Sequence, residues 1–376
     1  MTRHQQQFIE LLRAGLWGER ADDSLFREGV EWKEILKIAR QQAVMLIVAD
    51  GMGTLPESLW PTKEVIQKIM MARVKIHQMH DLTNATIRQT VEALSSAGIP
   101  SVLLKGQGVA HNYLNPKSRS CGDIDLYVGQ KNIMQASRLI AGLAGNEENG
   151  VICDHHIHLS LNGIELELHN KADYMPGARM NRDLQAWTVG SIDNNFGTPR
   201  LRTWDNDGTV IHLAPATFDA FFILHHAVRH MTVGGIGFRQ LCDWTMYLHR
   251  HHQDIDKKLL QEKLETYRMM EVWNEFGILA VNILGLPAEE LPLAPASMES
   301  SKTEKILRQI FISGNFGHAD TDRRERSKTG YIKRKWRSFR FQSLRLMKLL
   351  GLFPKFILSF CIGWISEASI RLAKFK

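Results

Sequence analysis

The sequence predicts an α+β protein in which a small mixed sheet lies between two helical regions of the chain. Two observations support this fold class. Apolar residues recur at spacings of three and four in residues 1–95 and again after about residue 210, which is the period of an amphipathic helix. Between these regions, short apolar or alternating runs are separated by Gly, Pro and Asn, which is typical of strands and turns.

Composition limits the class of protein. The chain has 376 residues, of which 44% are hydrophobic, so it can bury a core without disulfides. Its four cysteines are far apart and form no CxxC pair, which favours reduced thiols and a cytoplasmic location. The first residues lack the apolar segment of a signal peptide. We divide the chain into a helical region (1–95), a sheet-containing core (96–210), a second helical region (211–322) and a tail (323–376).

The N-terminal helical region is interrupted near its middle by Pro56 and Pro61. A change of character at Gly98-Ile-Pro opens the sheet-containing core. The elements predicted from there are a strand at 101–104, a short helix at 106–114 ended by Asn115-Pro116, a strand at 123–128 and a helix at 132–144.

A hairpin follows at residues 153–169. Asn162-Gly163 separates its two strands and favours a two-residue type I′ turn. The predicted register pairs Leu161 with Ile164 and continues through three further pairs, Ser160–Glu165, His158–Glu167 and His156–His169. Because side chains alternate across a strand, one face is apolar and the other is rich in His and Glu.

The second helical region is predicted to begin after Pro215, with helices at 216–231, 238–251 and 257–284. Gly234-Gly-Ile-Gly forms a loop between the first two. Three prolines, at 287, 292 and 295, mark a looser connector.

Asp123 and Asp125 are two apart on a predicted strand, so both carboxylates point to the same face. Two adjacent like charges repel unless a cation lies between them. The Asp-x-Asp pattern is common, and an exposed strand end with two solvated acids is the alternative interpretation.

Combined motifs around this pair resemble a known family. The stretches LLKGQGVAHNYLNPKSRSCGDIDLYV and HHIHLSLNGIELELH resemble the uncharacterised nucleotidyltransferase family of the polymerase-beta-type superfamily. Its pattern has an LKG segment, an Arg shortly before the Asp-x-Asp strand, and a later Glu-Leu-His strand. The segment HHAVRHMTVGGIGFRQLCDW resembles the helical region of that family. The resemblance extends from about Gly98 to His252 and implies a nucleotidyltransferase-type sheet.

The resemblance implies that Asp123, Asp125 and Glu167 are catalytic residues that bind metal. Two Mg²⁺ or Mn²⁺ ions would activate the attacking oxygen and stabilise the leaving pyrophosphate. The third carboxylate could also act as general base, and Glu165 on the same face could substitute for Glu167 in that role.

One departure concerns phosphate binding. The wider superfamily has a Gly-Ser or Gly-Gly pair at the start of the first helix, where this chain has Lys105-Gly106. Gly106 still permits close backbone approach, and Lys105 is either a phosphate contact or an exposed strand-end lysine. Arg119 is expected to hold the terminal phosphates, and Gly122 completes the predicted phosphate-binding set.

The histidines allow two interpretations. His156, His158 and His169 share the face of Glu167, so they form either a zinc site or a hydrated polar face with His–Glu hydrogen bonds. In the latter case His158 could orient Glu167. Two further pairs lie on helix faces at a spacing of four, His226 with His230 and Arg239 with Asp243. The resemblance implies that these pairs line the nucleotide or acceptor cleft, and a structural salt bridge is the alternative for Arg239 and Asp243.

The tail carries most of the positive charge. Residues 323–376 contain 15 Lys and Arg against 2 Asp and Glu, whereas the whole chain has a net charge of +7. Its apolar run is too short and interrupted to span a membrane. The alternatives are an interfacial helix on an anionic membrane, nucleic-acid binding, or a helix packed on the protein with its charges in solvent.

The predicted function is therefore metal-dependent transfer of an NMP group from an NTP to an acceptor, with release of pyrophosphate. The sequence identifies neither the acceptor nor the base. The alternative is a catalytically inactive protein of the same fold, recruited to a membrane or to RNA by its basic tail. The protein is expected in the cytoplasm, with peripheral attachment to the inner membrane face as an option.

Overall fold

The computed structural model describes residues 1–145, 151–152, 156–315, 340 and 343–363. The chain forms two compact units, each assembled from separated segments. Unit 1 comprises Met1–Val74, Asn112–Ser120 and Ile223–Ser359, and unit 2 comprises Lys75–His111, Cys121–Phe222 and Phe360–Lys376. The predicted division has four regions that are consecutive in sequence. The two units instead group segments that contact one another, whatever their distance along the chain.

Helices dominate the N-terminal region, as predicted. They are α1 (Arg3–Trp17), α2 (Trp32–Gln41), α3 (Met45–Met52) and α4 (Lys63–Ser96). A capping box between Thr2 and Gln5 begins α1, since each side chain satisfies a backbone N–H of the other. The break predicted at the prolines lies between α3 and α4 and contains a short 3₁₀ helix, Glu57–Leu59.

Helices α1 and α3 approach closely at two glycines. A Cβ atom added to Gly15 would lie 1.9 Å from the carbonyl oxygen of Ile47, and one added to Gly51 would lie 1.9 Å from that of Leu11. Neither position has room for a side chain, because both neighbouring atoms belong to backbone. The missing side chains therefore let the two helices pack backbone against backbone within unit 1.

Unit 2 contains a mixed seven-stranded sheet in the order β3-β4-β5-β2-β1-β7-β6, which confirms the α+β class. Its strands are β1 (Val102–Leu103), β2 (Ile124–Tyr127), β3 (Val151–Ile152), β4 (His156–Leu161), β5 (Ile164–His169), β6 (Arg202–Asn206) and β7 (Thr209–Leu213). The central strand β2 pairs in parallel with β5 and antiparallel with β1. Strand β1 pairs in parallel with β7.

The predicted β4–β5 hairpin is confirmed in all four residue pairs, from Leu161–Ile164 to His156–His169. Residues 153–155, where the first strand was predicted to begin, lie outside the described residues. Asn162 and Gly163 have φ of 56° and 76°, the left-handed values that a type I′ turn requires. Asn162 also donates to Gln89 and Thr86 on α4. The turn is thereby fixed to the helix that covers the sheet.

A second hairpin, β6–β7, was not predicted. Its turn is Asp207-Gly208, with φ of 50° and 86°, which is the same kind of turn signal as Asn-Gly. Helix α7 (Ala178–Ser191) was also not predicted. The core region thus contains more regular structure than its sequence pattern indicated.

One face of the sheet packs on the second half of α4 and on α6 (Ile133–Leu143), which is the helix predicted at 132–144. The apolar core comprises side chains from these helices and from alternate strand positions, among them Ile87, Leu94, Ile140, Leu103, Leu126, Leu166 and Leu213. Because strand side chains alternate, the residues between them point to the opposite face. That opposite face carries Asp125, Glu167 and the hairpin histidines.

The short helix predicted at 106–114 is wrong in length, because α5 spans only Gln107–Ala110. Two residues after α5 are buried in unit 1. Asn112 bonds to His251 at 3.0 Å, and the Tyr113 hydroxyl donates to Asp243 at 2.6 Å. These tertiary contacts override the local helical pattern, since the chain passes into the other unit here.

The second helical region contains α8 (Ala216–Val233), α9 (Phe238–His251), α10 (Lys257–Thr266), α11 (Met270–Asn282) and α12 (Thr303–Ser313). Helix α9 has the predicted bounds. The single helix predicted at 257–284 is wrong, because Arg268 adopts φ 57° and divides it into α10 and α11. The amide of Met269 donates to Leu264 and that of Arg268 to Glu265, which is the left-handed ending of many helices.

The described part of the tail belongs to unit 1 as far as Ser359. Helical residues 343–350 and 354–363 are separated at the predicted break before Pro354, and Leu349, Phe353 and Ile357 are buried. Arg345 donates to the carbonyl oxygens of Met231 and Gly234. Most of the basic stretch predicted at 331–348 lies outside the described residues, so its membrane and nucleic-acid interpretations stay predictions. Among the helices that are described, none is both long and apolar enough to cross a membrane.

Candidate active site

The candidate site lies on the polar face of the sheet, at its central strand. Asp125 in β2 pairs with Glu167 in β5. Residues that are paired in adjacent strands point to the same face, so the two carboxylates lie side by side. The Asp125 side chain is fully buried, and that of Glu167 is 17% exposed. The pairing therefore brings these two acids together on the polar face.

His169 bridges the two carboxylates. Its Nε2 atom lies 3.0 Å from Oδ1 of Asp125 and 3.3 Å from Oε2 of Glu167. Burial alone would lower the pKa of His169, but the hydrogen bonds to both acids outweigh it and raise that pKa. Burial also opposes ionisation of Glu167, yet the hydrogen bond from His169 leaves its pKa lowered. His169 therefore favours the charged form of Glu167.

Asp123 lies one residue before β2, so the prediction that it is part of the strand is wrong by one position. Its side chain is half-buried. The negative charge of Asp125 is the main reason that the pKa of Asp123 is raised, and burial adds to it. This mutual repulsion would be relieved by a cation bound between the two carboxylates.

Lys105 and Gly106 lie beside these acids. Lys105 Nζ is 3.1 Å from Asp125 Oδ1, and the amide of Leu104 donates to the carbonyl oxygen of Asp125. Gly106 has φ 61°, and a Cβ atom there would lie 3.3 Å from the carbonyl oxygen of Asp123. A left-handed backbone this close to another strand favours glycine. The turn therefore places a lysine against the buried aspartate.

The hairpin histidines lie on the other side of Glu167. His158 Nδ1 is 3.3 Å from Glu167 Oε1, and His156 Nε2 is 3.9 Å from the same oxygen. The two Nε2 atoms of His156 and His158 are 2.7 Å apart. Burial lowers the pKa of His156, which favours its neutral form. Oε1 of Glu167 therefore faces His156 and His158, whereas Oε2 faces His169.

Arg119 and Asp243 come together within unit 1. Arg119 Nε and Nη2 donate to the two carboxylate oxygens of Asp243 at 2.7 and 2.9 Å, and Nη1 donates to the carbonyl oxygen of Ser120. Tyr113 donates to the same carboxylate, and burial followed by the charge of Asp243 raises the pKa of that tyrosine. All three guanidinium nitrogens of Arg119 are therefore bonded to protein.

The remaining predicted residues are distributed over both units. In unit 2, Glu165 is exposed opposite Ser160, and Gly122 is exposed before Asp123. In unit 1, the Nε2 atoms of His226 and His230 lie 2.8 Å apart on α8, as their spacing predicted. Arg239 is buried in the first turn of α9.

Two contacts in the site were not predicted. The spacing from Glu167 placed His169 on the correct face, but its hydrogen bond to Asp125 depends on the parallel pairing of β2 with β5, which has no local sequence signal. The Lys105–Asp125 contact depends on the antiparallel pairing of β1 with β2. Both contacts depend on the order of strands in the sheet, which the sequence does not reveal.

A family model described as "Uncharacterised nucleotidyltransferase" matches residues 28–285, a range that contains every site residue named above. No curated protein matches this chain. Among solved structures, the chain is similar to an antigenic nucleotidyltransferase-like protein from Paracoccidioides brasiliensis, with 15% identity, 49% of this chain and 86% of that chain covered, and a TM-score of 0.30.

Proposed function

The chain belongs to the uncharacterised nucleotidyltransferase family, and on that premise we propose that it transfers an NMP group from an NTP to an acceptor. The acceptor nucleophile forms a bond to the α-phosphorus, and the bond from that phosphorus to the leaving pyrophosphate breaks. The observation that carries this proposal is the pairing of Asp125 with Glu167, which places two carboxylates together beside Asp123 and Lys105.

The donor set fits a divalent metal ion. Asp123, Asp125 and Glu167 would hold it, because Mg²⁺ and Mn²⁺ prefer oxygen ligands. The raised pKa of Asp123, due first to the charge of Asp125, fits a site whose carboxylates need a cation. When bound, one or two such ions would supply positive charge to the attacking and leaving oxygens.

Side chains around the three carboxylates would orient Glu167 and bind the phosphates of the NTP. His169 holds Oε2 of Glu167 and favours its charged form, so that this carboxylate can accept the acceptor's proton. Lys105 contacts Asp125, and its flexible ammonium could turn from that carboxylate to a phosphate. Gly106 leaves room for a phosphate to approach the backbone. Arg119 is a weaker candidate for phosphate binding, because that role would require it to leave Asp243.

The test is transfer of label from α-labelled NTPs, with Mg²⁺ or Mn²⁺ and a metabolite extract as the source of acceptors. We expect a labelled product with the wild type and none with Asp125→Asn. Asp207→Asn is the matched control, since Asp207 is an exposed carboxylate in the β6–β7 turn of the same unit and should retain transfer. Metal-dependent NTP binding, measured by calorimetry, should be lost in Asp125→Asn and retained in the wild type and in Asp207→Asn. Binding and transfer that are equal in the wild type and Asp125→Asn would contradict the proposal.

A further inference from the structure

The β4–β5 hairpin presents a second group of ligand-type side chains, separate from the Asp125 side of Glu167. His156, His158 and Glu167 each offer one atom, and these atoms all lie within 4.8 Å of one another. The two histidines are alternate residues of β4, and Glu167 is paired with His158 across the hairpin. The strand ladder therefore holds all three side chains on one face.

We propose that His156, His158 and Glu167 form a binding site for Zn²⁺ or a similar transition-metal ion. Two imidazoles and one carboxylate are the ligand set of several open zinc sites. Imidazole suits Zn²⁺, whereas Mg²⁺ prefers an all-oxygen set. The site therefore differs in metal preference from the carboxylates of Asp123 and Asp125.

The distances suit a tetrahedral ion. Bonds of about 2.0–2.2 Å from zinc to nitrogen or oxygen place neighbouring ligand atoms roughly 3.3 Å apart. Nε2 of His156 lies 2.7 Å from Nε2 of His158 and 3.9 Å from Oε1 of Glu167. The 3.3 Å contact of His158 with Oε1 of Glu167 is made by its Nδ1 atom. One ligand atom from each of the three residues lies within 4.8 Å of the other two, so rotation of the side chains would bring one nitrogen of each histidine and Oε1 of Glu167 to the required spacing.

The surroundings also suit an ion. The side chains of His156, Glu167 and His158 are 11%, 17% and 45% exposed, so an ion can enter from the His158 side and keep a water molecule as fourth ligand. His169 donates to the other oxygen of Glu167. Such an outer hydrogen bond orients a ligating carboxylate and strengthens the site.

This inference shares only Glu167 with the proposed transferase function. The zinc site would use Oε1 of that carboxylate, whereas Oε2 faces His169. One consequence rests on the proposed function: zinc at Oε1 would compete for the third carboxylate and reduce Mg²⁺-dependent transfer. Binding of zinc itself does not depend on transfer.

The test is calorimetric titration of the untagged full-length protein with Zn²⁺, together with Co²⁺ as a spectroscopic substitute. We expect about one ion per chain and a visible Co²⁺ absorption of tetrahedral intensity. His158→Gln and His156→Gln should each weaken Zn²⁺ binding at least tenfold, as loss of a ligand requires. His212→Gln, a histidine in β7 of the same unit, is the control and should bind as the wild type does.

Two outcomes would overturn the site: no Zn²⁺ binding by the wild type, or equal binding by the double variant His156→Gln/His158→Gln. Circular dichroism of the variants establishes that they are folded, and His158 is exposed enough for its replacement to be tolerated. Asp123→Asn separates this inference from the transferase proposal. That variant should lose metal-dependent NTP binding but retain Zn²⁺.

Discussion

Replacing Arg119 by methionine removes the cation of the Arg119–Asp243 pair and leaves the carboxylate buried. The two side chains are only 5% and 10% exposed, so water cannot replace the lost partner. Removing one member of a buried ion pair costs about 3–5 kcal/mol, because the other charge is left uncompensated. Tyr113 still donates to Asp243, so we expect a loss near the lower limit, about 3 kcal/mol.

Two further variants separate charge from packing. In Arg119→Met/Asp243→Leu neither charge remains buried, and we expect the double variant to recover more than half of the loss. Arg250→Met is the control, since Arg250 is exposed near the end of α9. Its effect on the free energy of unfolding should stay within about 0.5 kcal/mol.

The assay is denaturant unfolding followed by tryptophan fluorescence. Trp244 and Trp273 are fully buried in unit 1 and lie in edge contact with each other, so unfolding of the unit that contains the ion pair changes their contribution to the emission. If Arg119→Met unfolds at the wild-type denaturant concentration while NTP binding weakens, the reasoning is refuted. Arg119 would then bind phosphate, as its position before Asp123 first indicated.

Two other predictions concern helix packing and pH. Gly15→Ala or Gly51→Ala should lower the thermal midpoint of unfolding by several degrees, because the added methyl group would lie 1.9 Å from a backbone oxygen. Gly142→Ala is the control, since no atom lies within 4 Å of the added methyl group. It should leave the midpoint unchanged or raise it. The folded-state pKa of His169 is raised above its usual value near 6.5 by its two carboxylate neighbours, so the metal-free protein binds this proton more tightly when folded. The protonated His169 therefore adds to the stability of the folded protein. This stabilisation is complete below about pH 6.5 and is lost as pH rises through the folded-state pKa of His169. The midpoint of His169→Gln should depend less on pH in that range, and equal pH profiles for both proteins would contradict the assignment.

Local signals predicted the elements that depend on local geometry. Asn162-Gly163 fixed the hairpin register because only a few residues readily adopt two successive left-handed conformations. Helix α9 followed from apolar spacing and the preceding glycine loop. The same logic, applied to Asp207-Gly208, would have found β6 and β7. The break at Arg268 had no such signal, since arginine rarely adopts a positive φ.

Contacts between distant segments could not be predicted in this way. Arg119 and Asp243 are separated by 124 positions, and their spacing carries no information about pairing. The four-residue spacing of Arg239 and Asp243 suggested a local salt bridge, whereas nothing in the sequence indicated that Asp243 accepts from Arg119 on both carboxylate oxygens. The three-carboxylate site was predicted through family resemblance, and its strand order became visible only in the structure.

The two-residue turn at Asn162-Gly163 has a consequence for how this gene can change. Because side chains alternate along a strand, a one-residue slip of β5 would turn Glu167 towards the core and present leucines to Asp125. Replacing either turn residue would weaken the hairpin but keep its register. A single inserted codon that the turn could not absorb would instead move the acids and the histidines to the wrong faces. Among descendants of this gene, we therefore expect the length of the turn between β4 and β5 to vary less than the identities of its residues.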